Sequence, residues 1–250
     1  MSQPQPSSPA ARLIDSLVET LHENTKLDRA SLTRPPRSLT SPGGPSRPAA
    51  ADESLFVPLP AVSGPLGISV GTSISARRSV RRYRGESMPA ITLSRFLALG
   101  AAPELQPGSG AFVEVHAVLW DVEGVDPGMY RYDATRGGLL RLGSGPSRTE
   151  TLESLFQSEF ATGTGILLLV GDVAGTVDAF GLRGYRLLLE QAGVLGESFY
   201  LIGTALGVGV SGNGGFRETT VQRHARLDGI RRDVIWTLPF GIAPHAEEPP

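Results

Sequence analysis

Tyr185-Arg-Leu-Leu-Leu-Glu-Gln-Ala-Gly-Val-Leu-Gly-Glu-Ser-Phe-Tyr-Leu-Ile-Gly-Thr-Ala-Leu206 carries apolar side chains around nearly its whole helical circumference. A helix of that kind is buried in a large core or in an interface between subunits. Gly193, Gly196 and Gly203 would let neighbouring elements approach it closely. Upstream, Gly165-Ile-Leu-Leu-Leu-Val-Gly-Asp172 is an unbroken apolar run of strand length, which predicts a central strand covered on both faces. Working outward, Val113–Asp121 alternates and reads as a strand, Gly128–Asp133 as a second, and Gly138–Leu142 as the continuation of that meander. Thr92 is placed to cap a helix over Leu93–Ala101, with Leu93, Phe96 and Leu97 on one stripe. A further helix is expected over Glu150–Glu159, and Val234–Ile242 is the last strand. Helices and strands mix without regular βαβ alternation or internal repeat. The expected class is therefore α+β, a central mixed sheet with flanking helices.

The chain has 250 residues, enough for one such domain with a sizeable core. Its formal net charge of −2 gives no bulk attraction to nucleic acid or to an anionic membrane. No apolar run is long enough to cross a membrane, and the polar, Pro-rich start lacks the apolar core of a secretory signal, so a cytoplasmic protein is expected. There is no cysteine, which excludes disulfides, thiolate nucleophiles and Cys-ligated metal or iron–sulfur centres. The four histidines, His22, His116, His224 and His245, show no metal-ligand spacing, and no metal site is expected. Lys26 is the only lysine. Residues 1–66 hold over half of the prolines and read as a Pro/Ser-rich extension. Within it, Leu13, Ile14, Leu17, Val18 and Leu21 predict one amphipathic helix from about Pro9 to Glu23. Residues 67–245 form the compact domain.

Four polar features can carry chemistry. Arg77-Arg-Ser-Val-Arg-Arg-Tyr83 is the densest. Its arginines offer planar forks of donors that stay charged at any working pH, and Ser79 adds a hydroxyl, so the segment can surround a phosphate; otherwise it is a solvated basic face. Gly207, Gly209 and Gly212 formally match GxGxxG, but the run follows a helix instead of linking a strand to a helix, so a Rossmann reading is rejected. A loop this rich in glycine still lets the backbone approach a flat ligand. Arg183 and Tyr185 stand at the entrance of the long helix and are free to face a cleft, whereas Arg186 and Glu190 have the spacing of an ordinary helix ion pair. Gln106-Pro-Gly-Ser109-Gly-Ala is a short polar loop entering a strand.

Together and in this order, these features resemble the nitroreductase superfamily, and most closely its SagB-type branch, which includes azoline dehydrogenases. His22-Glu-Asn-Thr-Lys26, Arg77–Tyr83, Glu123-Gly-Val-Asp-Pro-Gly-Met-Tyr-Arg-Tyr-Asp133, Arg183-Gly-Tyr-Arg186 with Glu190 and Gly193, and Thr204–Gly209 followed by Gly214-Gly-Phe216 are the matching pieces. The resemblance implies a homodimer with FMN at the subunit interface. It implies that Arg77, Arg78, Ser79 and Arg81 bind the phosphate and the pyrimidine edge. Ser109 would lie beside the flavin ring, and Asn213, Gly214 and Gly215 would offer backbone amides near its N5. Three departures stand out, the first being that the loop at Gln106–Ala111 is short and lacks the family's usual Tyr-Pro. The Lys-Tyr pair usual before the RxYR segment is replaced by Ala179 and Phe180 within Asp178-Ala-Phe-Gly181, and Val194 occupies a position that often holds His. Proton transfer then falls to Tyr185, with Arg183 beside it, or to Tyr83 or water.

Three functions follow. The first is tailoring of a peptide natural product by FMN-dependent redox chemistry, such as azoline-to-azole dehydrogenation or a related C–N or C=C step. The second is NAD(P)H-dependent reduction of nitro compounds, quinones or enones, which needs little acid–base help. The third is a non-catalytic flavin-fold subunit of a biosynthetic complex, docked through the 9–23 helix.

Overall fold

The computed structural model describes residues 9–26, 55–102, 112–155 and 157–244. In chain order the elements are α1 (Pro9–Asn24), β1 (Phe56–Pro58), α2 (Val70–Ala76), α3 (Ala90–Gly100), β2 (Val113–Leu119), β3 (Gly128–Asp133), β4 (Gly138–Gly143) and α4 (Arg148–Ser154). A 3-10 helix (Ser158–Thr162), β5 (Gly165–Asp172), α5 (Val173–Phe180), α6 (Arg183–Leu206), β6 (Val208–Val210), α7 (Glu218–Ala225) and β7 (Arg232–Ile242) complete the set. The strands form one seven-stranded sheet in the order β1-β4-β3-β2-β5-β7-β6.

The class is α+β as expected, but every paired strand in the described sheet is antiparallel, where a mixed sheet was expected. The only parallel pairings among the described residues are isolated bridges such as Ser79 to Val210.

β5 lies inside the sheet between β2 and β7 and is buried along its full length. Strand geometry sends alternate side chains to opposite faces. Leu167 and Leu169 join the cluster that includes Phe96, Leu97, Leu188, Leu195 and Phe199 from α3 and α6. Ile166, Leu168 and Val170 join the opposite cluster, with Leu155, Phe160, Phe216 and Val221. The unbroken apolar run is thus the signature of a strand with two covered faces.

α6 buries Leu188, Ala192, Leu195 and Phe199 but leaves Leu189 44% and Val194 57% exposed. α2 packs alongside it and exposes Val70 and Ile74. Gly207 ends α6 in the left-handed conformation at φ 70°, its N–H returning to the Gly203 carbonyl, which a residue with a Cβ adopts only at a cost. Gly196 lies against the Trp236 ring so closely that a Cβ would fall 2.1 Å from it.

Several boundaries move. α3 begins at Ala90 behind Pro89, so Thr92 lies inside the helix and caps nothing. The expected helix 150–159 is two pieces, because the chain turns extended at Leu155 and restarts as the 3-10 helix. β1 falls within the stretch read as an extension and pairs with β4. α2, α5, β6 and α7 were not foreseen.

On the second face of the sheet, Glu114 gathers three partners. His116 Nε2 lies at 2.8 Å, Arg232 Nη2 at 2.5 Å and Arg131 Nη1 at 3.6 Å. Burial raises the Glu114 pKa, but the His116 hydrogen bond and the neighbouring positive charges outweigh it and hold the carboxyl at about 2. Burial pushes His116 below its ordinary value despite the bond to Glu114. The imidazole is therefore neutral near pH 7, which leaves Arg131 and Arg232 as the charges balancing Glu114.

Candidate functional site

The arginine segment begins where α2 ends. Arg77 is the C-cap of α2, its N–H returning to the Ser73 carbonyl. From there the chain runs extended beside β6, with the Val80 N–H donated to the Val210 carbonyl at 2.9 Å. This edge contact places Ser79 against the glycine-rich turn that follows β6. One side chain ties the two together: the Tyr200 hydroxyl, from the buried side of α6, lies 3.0 Å from Ser79 Oγ and accepts the Gly212 N–H. The Arg77 guanidinium stacks over the Tyr200 ring at 5.1 Å and stands 4.0 Å from Glu197. Arg78 donates to the Ser75 and Arg77 carbonyls, which steadies the end of α2. The guanidinium groups of Arg81 and Arg82 make no hydrogen bond or ion pair with other described residues. Ser79 and Arg81, alternate residues of an exposed extended segment, fall on one side of it beside Arg77, and such a shelf of donors suits an anion.

The turn beyond β6 is held so that one donor is left over. The Gly212 N–H goes to Tyr200, the Asn213 N–H to the Thr237 carbonyl at 2.8 Å and the Gly215 N–H to Asn213 Oδ1 at 3.0 Å. The Gly214 N–H has no partner among the described residues, and the space where its Cβ would stand is open. Asn213 Nδ2 is also buried without a partner.

The other expected residues lie elsewhere. Arg183 and Tyr185 are at the first turn of α6. At about 1.5 Å of rise per residue they are roughly 22 Å or more along the helix from Tyr200, so one subunit does not bring them to the arginine shelf. Arg183 Nη1 donates to the Thr25 carbonyl at 3.3 Å and Arg186 Nη2 to the Thr25 hydroxyl at 2.5 Å, seating the end of α1 on α6. Ala179 and Phe180 close α5, where the Phe180 ring packs edge-to-face on Phe112 at 5.7 Å. Ser109 lies outside the described residues. Tyr83 cannot move protons in the way the sequence allowed. Its hydroxyl is buried without a partner, and burial, helped by Tyr200, pushes its pKa well up.

Sequence reasoning missed Tyr200. The available signal was a phenol in an apolar stretch of a helix, since a buried tyrosine hydroxyl usually finds a partner.

The nitroreductase family description matches residues 74–242, from the end of α2 to the end of β7. The chain belongs to the nitroreductase family. A Methanocaldococcus jannaschii protein named as a nitroreductase is 29% identical over 160 residues, covering 60% of this chain and 81% of that protein. Among solved structures, a nitroreductase-named protein of Anabaena variabilis aligns at TM-score 0.73 and 21% identity, over 98% of this chain. This chain spans about half, 49%, of the Anabaena one. A chain of the E. coli microcin synthetase McbBCD complex, solved with truncated pro-MccB17 bound, aligns at TM-score 0.59 and 16% identity over 95% of both chains. The arginine shelf and the turn after β6 are thus parts of a nitroreductase fold, and the family makes the chain an oxidoreductase. Among the described residues no helix is long and apolar enough to cross a membrane, and no cluster of His, Asp or Glu could hold a metal.

Proposed function

We propose that this nitroreductase-family chain binds FMN and tailors a peptide natural product, oxidising an azoline to an azole or working on a related C–N or C=C bond. The observation that carries the flavin reading is the Tyr200 hydroxyl joining Ser79 to Gly212. It fixes a cationic shelf and an unpaired backbone donor in one site. The donor set fits the cofactor. Arg77, Arg78, Ser79 and Arg81 would hold its phosphate and pyrimidine edge, and Gly214, between Asn213 and Gly215, offers the N–H for a ring atom. Asn213 Nδ2 is a second donor awaiting a partner. FMN, when bound, supplies hydride acceptance and return at its ring system.

The exposed apolar side chains on α2 and α6 support a homodimer. In that dimer Tyr185, with Arg183 beside it, is the candidate proton carrier, supplied to the site by the second subunit. The fold shared end to end with a chain from a synthetase complex that held truncated pro-MccB17 agrees with a peptide substrate.

One observation favours a second reading, NAD(P)H-dependent reduction of nitro compounds, quinones or enones. Phe180, where a proton-transferring pair is usual in azoline dehydrogenases, is engaged in packing on Phe112. Anaerobic FMN-loaded protein separates the two. Persistent flavin bands with NADH and NADPH, bleached by an azoline-containing peptide, are expected. Bleaching by the pyridine nucleotide, with no response to peptide, would replace dehydrogenation with reduction.

A further inference from the structure

A second cationic cleft lies on the opposite face of the sheet, between the end of α7 and the turn after β4. It encloses about 170 Å³ and is lined by Met129, Gly143, Ser144, Arg223, His224 and Arg226 among others. Counted across the strands β6-β7-β5-β2-β3-β4, its Gly143 wall lies five spacings of about 4.8 Å, some 24 Å, from the Ser79–Val210 contact. It is therefore separate from the arginine shelf within one chain.

The guanidinium groups of its two arginines, Arg223 and Arg226, have no hydrogen-bond or ion-pair partner among the described residues. Two carboxylates of the neighbouring segments are turned to backbone donors. Glu150 accepts the Ser147 N–H at 2.8 Å in capping α4, although its charge interacts with His224. Asp228 accepts the N–H groups of Ile230, Arg231 and Arg232. Arg226 is also the one described non-glycine residue with positive φ, at 54°. That left-handed position ends α7, where glycine is the cheaper occupant. The strained backbone coincides with an arginine whose Nη2 lies 3.6 Å from where a Cβ on Gly143 would stand, so its guanidinium sits over the floor of the cleft. An arginine in place of glycine at this helix end puts a guanidinium at the recess.

We propose that this cleft binds the phosphate group of a small-molecule ligand, gripped between Arg223, Arg226 and His224 on one side and the Gly143-Ser144-Gly145 turn on the other. Two guanidinium forks and an imidazole arriving together suit a tetrahedral dianion better than a single carboxylate. The competing account is that these cations only complement the negative end of α7.

The test is a titration of the full-length protein with inorganic phosphate, followed by ¹H–¹⁵N NMR against chloride at matched ionic strength, with acetate as a third arm. Saturable shifts of the Ser144 and Gly145 amides with phosphate are expected. They should vanish in the double variant Arg223→Ala/Arg226→Ala and persist in Arg77→Ala/Arg81→Ala, which removes cations of the other shelf. Shifts that do not saturate, that survive the 223/226 double variant, or that centre on residues 77–82 would overturn the proposal. An equal response to acetate would overturn the preference for phosphate. A double variant that is less stable, when the parent shows no phosphate response, would leave the cations to the helix end alone.

Discussion

Replacing Tyr200 by Phe removes one oxygen and leaves the ring that stacks under Arg77. No cavity opens, so the effect reads the two hydrogen bonds alone. Ser79 is exposed and recovers a water, so its 3.0 Å contact is nearly neutral to lose. The Gly212 N–H is partly buried and loses an acceptor inside the turn. A neutral hydrogen bond contributes about 0.5–1.5 kcal/mol, and an abandoned buried donor costs about 1–3 kcal/mol, so the bridge is worth about 1–2 kcal/mol. If that free energy keeps the shelf and the turn in register for the cofactor, FMN affinity falls roughly 5- to 30-fold. Flavin fluorescence quenching gives the dissociation constant, and urea unfolding of the cofactor-free protein gives the stability. Affinity unchanged with stability lowered would show that Tyr200 only packs α6. Both unchanged would refute the bridge itself.

Three more outcomes are expected. In Gly184→Ala the new methyl falls 2.0 Å from the Thr176 carbonyl oxygen, which is backbone and cannot swing aside. Overpacking of about 1–3 kcal/mol should exceed the gain of about 1 kcal/mol in helix propensity and lower the urea midpoint; an unchanged midpoint contradicts the close α5–α6 contact. Thr25→Val removes the hydroxyl bound by Arg186, a charged bond worth about 1.5–3 kcal/mol. Proteolysis within residues 9–26 should accelerate while the core stays intact, and an unchanged cleavage rate argues that α1 is held by other contacts. Stability should be greatest above about pH 6.5 and fall on acidification. Both His116 and Glu114 have folded pKa values below their unfolded ones, so the unfolded chain takes up their protons first. The His116 part is lost from about pH 6.5 downward and the Glu114 part from about pH 4.5 toward 2, each at no more than about 1.4 kcal/mol per pH unit. His116→Gln should flatten urea-measured stability between about pH 6.5 and 4.5; an unaltered slope there removes His116 from the account.

What the sequence revealed follows how much of each element's fate is local. β5 and α6 were legible because burial on two faces leaves a continuous apolar record. β3 and β4 were bounded by turn residues. β6 was not, since Val208-Gly-Val210 is too short to show a period and is a strand only through its pairing with β7. Phe56–Pro58 is likewise a strand because β4 presents an edge to it. The arginine segment pointed to the proposed phosphate site through charge density alone. The residue that unites it with the glycine turn, Tyr200, sits 121 positions from Ser79, and such a pairing leaves no local trace. For the same reason Arg183 read as free to face a cleft, although Thr25 occupies it.

The central claim is that the shelf at Arg77–Arg81 and the turn at Gly212–Gly215 make one flavin site. The most direct measurement is equilibrium titration of the purified, cofactor-free protein with FMN, followed by absorbance and fluorescence, beside Arg77→Ala/Arg81→Ala. One FMN per chain, with binding weakened at least tenfold in the double variant and the fold intact by circular dichroism, is the predicted result. A folded protein that takes up no FMN, or a double variant that binds it as tightly as the parent, would contradict the account.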